Sequence, residues 1–252
     1  VAPRKNTKKD SGTDVKIPPL HLDLAILQIV GIRPLITHAW DPKVQRQMLA
    51  KQMGIPMPKK EKRDPKAEYH AALYELPEDV AKELGAKYGV PAAAFKQAAV
   101  DAARHTDLAM TQVVGSFHVR GLEVDLPPIE IEMEGTTVPV GDKSMELIPI
   151  YGSAPTMRCD MVRLEGGGSA DLRFRPQFKE WHCLVPVQIA RGSLTVAQVT
   201  DLFNRAGFHC GICEWRPFSK KSKNGSYGMF RVAVSDADKK LFKKLQPPPF
   251  AM

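Results

Sequence analysis

Residues 181–206 read WHCLVPVQIARGSLTVAQVTDLFNRA, and the period of their apolar positions changes partway along. Trp181, Cys183, Val185, Val187 and Ile189 alternate with other positions, so they share one face of a β-strand over 181–189. Beyond Ser193, which suits a helix N-cap, Val196, Val199, Leu202, Phe203 and Ala206 recur at helical spacing, and Gly207 ends the run. A strand feeding a helix is half of a split β-α-β unit. FHCGICEW (208–215) reads as the next strand, GMFRVAV (228–234) as the last, and DADKKLFKKL as a short closing helix.

The other half lies upstream. LHLDLAILQIVGI (20–32) alternates and then becomes continuously apolar, as a partly and then fully covered strand does. PAAAFKQAAVDAARH (91–105) predicts a helix with Pro91 at its first position and a stripe of Phe95, Ala98, Ala99, Ala102 and Ala103. The order predicts an α+β fold: a ferredoxin-like antiparallel sheet core from 20–32, 91–106 and 170–235. Residues 33–90 and 112–164 are insertions into it.

In the first insertion, RPLITHAWDP is irregular, KVQRQMLAKQM (43–53) is a short helix, and PKAEYHAALYEL (65–76) is a helix capped by Asp64. The second reads as strands at QVVGSFHV, IEIEME, TTVPV and MRCDMVRL, closed by the break Gly166-Gly167-Gly168. DLRFRPQF (171–178) follows as a strand. One domain spans 20–245, between a disordered basic tail at 1–19 and a short tail at 246–252.

The chain has 252 residues, 43% apolar, so a real core can form. Its formal net charge of +8 favours a polyanionic partner, nucleic acid or an anionic surface, although a merely soluble basic protein has the same total. No stretch of eighteen or more apolar residues exists to span a membrane, and the opening VAPRKNTKKDSGTDVK lacks the apolar core of a secretory signal. Four cysteines suggest a reducing compartment, so the expected location is the cytoplasm.

Four groups of residues carry chemistry. In GICEWRPFSKKSKNGSYGMFRV (211–232), Arg216, Lys220, Lys221 and Lys223 supply charge for phosphates. Trp215, Phe218, Tyr227 and Phe230 supply faces on which bases stack, and Gly225 and Gly228 allow close backbone approach. The alternative is a solvated hairpin tip whose aromatics are core. Arg158, Arg163, Arg173 and Arg175 recur on strand-like segments, and Arg173 and Arg175 share a face by spacing. They form a phosphate track or a polar outer face paired with Asp160, Glu165 and Asp171. Cys210 and Cys213 have C-x2-C spacing, yet on a strand they point to opposite faces, so buried free thiols are expected rather than a metal site. His38 and Asp41, after the first strand, are candidates for general acid–base chemistry, although a His in a proline-bracketed loop is more often structural. No cofactor motif occurs, and the expectation is a non-enzymatic protein.

GIRPLITH after the first strand resembles the stretch that follows the first strand of the RAMP superfamily, the repeat-associated proteins of CRISPR systems. GICEWRP…NGSYGMFRV resembles that superfamily's C-terminal glycine-rich loop and final strand, and LTVAQVTDLFNRAGF sits where its second helix belongs. The overall order is similar to the guide-RNA-binding backbone subunits of class 1 CRISPR effector complexes, and to phage and mobile-element relatives. The resemblance implies an RRM-like core and head-to-tail stacking along single-stranded RNA in a ribonucleoprotein with other subunits. By position it places Arg33, His38 and Trp40 near the nucleic-acid path, with Arg216, Lys220, Lys221, Lys223 and Tyr227 as the glycine-rich-loop contact. Lys-Lys-Ser-Lys stands where a denser glycine run is typical, and the residues flanking Asp41 do not match subunits that cleave with an aspartate there. The expected function is therefore a single-stranded nucleic-acid-binding backbone protein that oligomerises into a helical filament, RNA being the first choice and single-stranded DNA the alternative. The other readings are a metal-independent RNA endonuclease using His38 and an assembly scaffold whose basic face meets acidic protein.

Overall fold

The computed structural model describes residues 18–55, 62–126, 128–133, 136–140, 143–163, 170–218 and 225–249. The expectations for the tail at 1–17, for Gly166 to Gly168, for Lys220, Lys221 and Lys223, and for the last residues, 250–252, lie outside them.

The fold is mixed α+β, built on one large antiparallel sheet. Its first strand, β1 (Leu22–Gly31), is followed by β2 (Leu35–Ile36), which leaves for a second sheet. Three short helices follow: α1 (Pro42–Met53), α2 (Pro65–Ala71) and α3 (Glu78–Leu84). The side chains of Asp41 and Asp64 accept from the backbone N–H groups of Lys43 and Lys66, so each aspartate caps a helix whose first residue is proline.

Next come β3 (Tyr88–Pro91) and α4 (Ala92–Ala102), extended by a 3-10 turn over Ala103–His105. Pro91 ends a strand and occupies the N-cap, one place earlier than the sequence suggests. The apolar stripe of α4 is as expected: Phe95, Ala98, Ala99, Ala102 and Ala103 are all buried.

The stretch 112–119, read as a strand, is mostly helix: α5 (Met110–Ser116) precedes a three-residue β4 (Phe117–Val119). Val113 is sealed in the core and Val114 is 50% exposed, an alternation that a half-covered strand would also show, but the Val113 N–H donates to the carbonyl of Ala109, four residues back, as in a helix. Ser116 donates to the carbonyl of Gln112, and Lys96 from α4 donates to the carbonyls of Val113, Val114 and Phe117, which supplies acceptors' partners at the helix end.

The inserted segment continues with β5 (Leu122–Leu126), β6 (Ile129–Met133), β7 (Thr136–Val140), β8 (Lys143–Gly152) and β9 (Thr156–Arg163). β8, where the sequence signals no strand, joins the main sheet beside β11. β10 (Ala170–Phe178) and β11 (Trp181–Ala190) lead to α6 (Val196–Arg205), a π-helical turn (Ala206–Cys210), β12 (Phe230–Val232) and α7 (Asp236–Phe242). The cap of α6 is Thr195, in a reciprocal capping box with Gln198. Ser193 instead donates to the carbonyl of Ala190 in the turn leaving β11.

In the main sheet β12 pairs with β1, β1 with β11, and β11 with both β4 and β8; β3 and β5 flank β8. Every pair is antiparallel. The alternate residues Trp181, Cys183, Val185, Val187 and Ile189 are each at most 2% exposed. They pack with Leu27 and Ile29 under the apolar faces of α4 and α6. Phe95 of α4 meets Phe230 edge-on at 5.5 Å, and Phe117 meets Phe203 at 5.9 Å. On the opposite face α7 covers one end: Phe242 meets His182 at 5.4 Å, and Arg231 donates twice to Asp238, at 2.5 and 2.8 Å. Beyond α7 that face is open, with Leu22, Leu24 and Ile26 exposed.

Two tests of this packing follow from close contacts. A Cβ on Gly207 would lie 1.9 Å from the carbonyl oxygen of Phe230, which backbone cannot yield cheaply. Gly207→Ala is expected to lower the unfolding free energy by about 1–3 kcal/mol in urea denaturation, as overpacked sites do. The Arg231 guanidinium and the Ser235 cap hold the Asp238 carboxyl well below the usual carboxylate range. Its contribution is therefore complete above the unfolded carboxylate value near pH 4 and is lost as pH falls through the lower folded value. Thermal midpoints measured between pH 6 and pH 2 should fall less steeply in Asp238→Asn than in the wild type.

Candidate functional site

β9, β10 and β2 form a separate three-stranded sheet in the order β2-β10-β9. Its register sets Arg175 directly opposite Arg158, and Arg173 opposite Asp160. By alternation Arg158, Asp160, Asp171, Arg173 and Arg175 share one face. Met157, Met161 and Leu172 lie on the other and are 43, 68 and 47% exposed. Spacing alone placed Arg173 beside Arg175. Arg158 joins them only through the register, and the side chain of Arg163 lies outside the described residues.

Each arginine has a distinct setting. Arg158 donates from Nε to both carboxylate oxygens of the buried Asp160, at 2.8 and 2.9 Å. Its Nη1 donates to the Tyr227 hydroxyl at 3.0 Å, and its guanidinium carbon stands 4.9 Å from the Tyr227 ring centroid. The bonds to Asp160 raise the Arg158 pKa further. Arg173 donates from Nε to Asp171 at 3.0 Å. Arg175 is only 6% exposed. Its nearest carboxylate oxygen belongs to Glu214, 3.7 Å from Nη1, too far for a hydrogen bond. Burial lowers the pKa of Arg175 despite that neighbour.

Glu214 is the residue that sequence reading missed. It lies in 208–215, read as a strand, and the structure corrects that reading. Ala206–Cys210 forms a π-helical turn, after which the chain bends. Cys213 and Trp215 hold φ of +64° and +56°, the left-handed region that non-glycine residues rarely enter. Backbone donors here go to scattered partners instead of one ladder. Ile212 donates to Gly228, Glu214 to Ile36, and Tyr227 to Trp215. Trp215 thus ends no strand, and its carbonyl holds Tyr227 in place. These bonds set the Glu214 carboxylate between Arg175 and His38, whose Nδ1 is 3.6 Å from Glu214 Oε1. His38 beside it, followed by the nearby charges of Arg175 and Arg216, holds the Glu214 carboxyl below its ordinary value. Non-glycine left-handed residues flanking an ion-paired carboxylate are a form of strain concentrated at sites of function.

The remaining expected residues gather around this centre only in part. His38 is half-buried between the cleft and Glu214. Arg33 and Trp40 are exposed. The Arg33 carbonyl accepts from the Trp181 indole at 2.9 Å, and the Trp40 carbonyl accepts from Gln45 at 2.7 Å. Arg216 donates to the carbonyl of Cys213 at 2.8 Å and lines a small cavity of about 210 Å³ beside His38 and Glu214. Asp41 caps α1. Lys220, Lys221 and Lys223 lie outside the described residues.

A larger cleft, about 850 Å³, runs between α1, α2 and β10, with His38, Arg173 and Arg175 in its lining. Arg63 spans it, donating to Glu68 at 2.6 and 2.9 Å and to Asp171 at 2.8 Å. The four cysteines carry no disulfide, and burial pushes the Cys210 and Cys213 thiols up to about 11 and 12. The alternation expected to separate these two cysteines does not apply, because they lie on a turn. Among the described residues no group of three or more His, Cys, Asp or Glu side chains is placed to hold a metal ion.

No helix among the described residues is long and apolar enough to cross a membrane. The chain matches no protein-family model and no curated protein sequence.

Proposed function

We propose that the chain is a single-stranded nucleic-acid-binding protein of the RAMP type, built on a ferredoxin-like core. For the core, the support is connectivity. β1 passes through α4 to β4, β11 passes through α6 to β12, and the four strands lie in the order β12-β1-β11-β4. The arginine face lies outside that core, on the sheet of β2, β9 and β10; Ala170–Phe178, which the sequence placed in the core, pairs with β2 and β9 instead.

The observation that carries the functional reading is the cross-strand pair Arg158–Arg175. Like charges directly opposite on neighbouring strands oppose folding. Such a pair serves a purpose when an anion lies across it. Tyr227 sits against Arg158 from the loop before β12, so the same face offers an aromatic ring beside cationic groups. That combination suits a sugar–phosphate chain whose bases stack without sequence preference. Arg33, after β1, and Trp40, after β2, are exposed and add a further cation and aromatic ring to the surface on offer. Guide RNA is the proposed ligand, single-stranded DNA the alternative, and protomers stack head-to-tail along it as an open filament.

With about four to six phosphate contacts per protomer, log affinity for a 40-nucleotide strand should fall against log salt with a slope near −3 to −4. Arg33→Gln should make the slope shallower by about 0.7 and weaken binding alike for all sequences. Fluorescence anisotropy on single strands and matching duplexes over a salt series checks this. Salt-independent affinity, or an equal preference for duplex, contradicts it.

The His38–Glu214 contact favours a second reading, metal-independent RNA cleavage with His38 as the general base oriented by Glu214. Labelled RNA incubated with excess chelator should then be cut by the wild type and left intact by His38→Ala. Intact RNA in both samples removes this reading.

A further inference from the structure

Arg175 stands apart from the other arginines near the cleft. Arg63, Arg158 and Arg173 each donate to a carboxylate at hydrogen-bond distance. Arg175 does not. Its Nε and Nη1 are shut off from water and have no hydrogen-bond partner. A guanidinium carries five donors and cannot shed its charge, so such an arrangement costs stability with nothing in the unliganded chain to offset it fully. Glu214 stands 3.7 Å away and is shared with His38. The side chain of Glu214 is 38% exposed against 7% for Arg175, so the carboxylate is the partner with room to move.

We propose that Arg175 is the seat of a single phosphoryl oxyanion entering from the 850 Å³ cleft, and that Glu214 is the counter-charge which covers the guanidinium until that anion arrives. Arg158 faces Arg175 from the next strand, Arg173 is a further cation two residues along β10 that lines the same cleft, and His38, released from Glu214, adds a donor at the rim. A phosphoryl group presents several acceptor oxygens and matches the geometry of a guanidinium, which the distant Glu214 carboxylate does not. The strained backbone at Cys213 and Trp215 fits this role: it holds Glu214 near Arg175 without bringing it into bonding range. The source of the phosphoryl group, whether an internal link of a nucleic-acid strand, a terminal phosphate or free phosphate, rests on the reading above; the chemistry at Arg175 does not.

The test uses the whole chain, with inorganic phosphate as the probe and sodium chloride at matched ionic strength as the control. Thermal unfolding should rise by about 5 °C or more when phosphate reaches a hundredfold its dissociation constant. Arg175→Met should lose that shift. Glu214→Gln, which removes the competing carboxylate, should bind phosphate several-fold more tightly. Phosphorus NMR line broadening on the wild type and Glu214→Gln supplies the same reading without any change at Arg175. A wild type with no phosphate shift, a shift that survives in Arg175→Met, or weaker binding in Glu214→Gln overturns the proposal. A nucleoside 5′-monophosphate and a 40-nucleotide strand with a 5′-hydroxyl end form the other arms. Monophosphate binding that depends on Arg175, without strand binding, supports the seat and removes the single-strand reading. Strand binding that is indifferent to both substitutions, with no phosphate effect, removes the seat and leaves that reading standing.

Discussion

The placement of Trp181 is the constraint on which the site depends. Its indole lies against β1 where that strand has only glycine to offer: a Cβ on Gly31 would sit 2.2 Å from the indole nitrogen. The same nitrogen donates to the Arg33 carbonyl, and the ring meets Phe230 at 6.4 Å. The N–H groups of Ile32 and Arg33 both reach the carbonyl of Met229. One buried side chain therefore fixes the exit of β1, the start of β11 and the approach to β12 together. β2 can then leave the main sheet at a set point and pair with β10.

That departure assembles the cationic face. β2 pairs with the end of β10, β10 carries Arg173 and Arg175, and β9 brings Arg158 across from Arg175. The turn after α6 bonds to Ile36 through the Glu214 amide, so the acid that answers Arg175 is anchored to the same short strand. Folding thus gathers like charges and a strained turn onto one surface, at a cost in stability that the helix-covered core must outweigh. A protein kept only for its stability would gain from an apolar pair in place of Arg158 and Arg175. Their presence on the face that carries Tyr227 is the physical basis of the proposed function.

Much of the fold was legible where burial follows a single period. The alternate residues of 181–189 are buried as read, although Leu184 and Pro186 on the other face are buried too, and the stripe of α4 and most of the buried face of α6 were also read correctly. Val196 is the exception, exposed at the first turn of α6, where the helix has not yet met the sheet. Reading failed where contacts are singular. The run 208–215 has the composition of a strand, but its amides bond one by one to distant loops, and no local pattern encodes that. β8 was hidden because its apolar residues form a continuous run broken by Pro149, buried from both sides. In the site, spacing placed Arg173 with Arg175, and the acidic residues weighed as their partners, Asp160 and Asp171, do bond to Arg158 and Arg173. The facing of Arg158 and Arg175 depends on register, and the role of Glu214 on a turn, so neither carried a sequence signal.

Photo-cross-linking tests the account most directly. The chain would be irradiated with a single-stranded RNA of about 40 nucleotides, digested, and the adducts located by mass spectrometry. The account predicts adducts at Tyr227 and Trp40, and in the peptides that carry Arg158 and Arg173, all suppressed by high salt. Adducts confined to the open face of β1, around Leu22 to Ile26, or none above the level of an irradiated duplex, would contradict it.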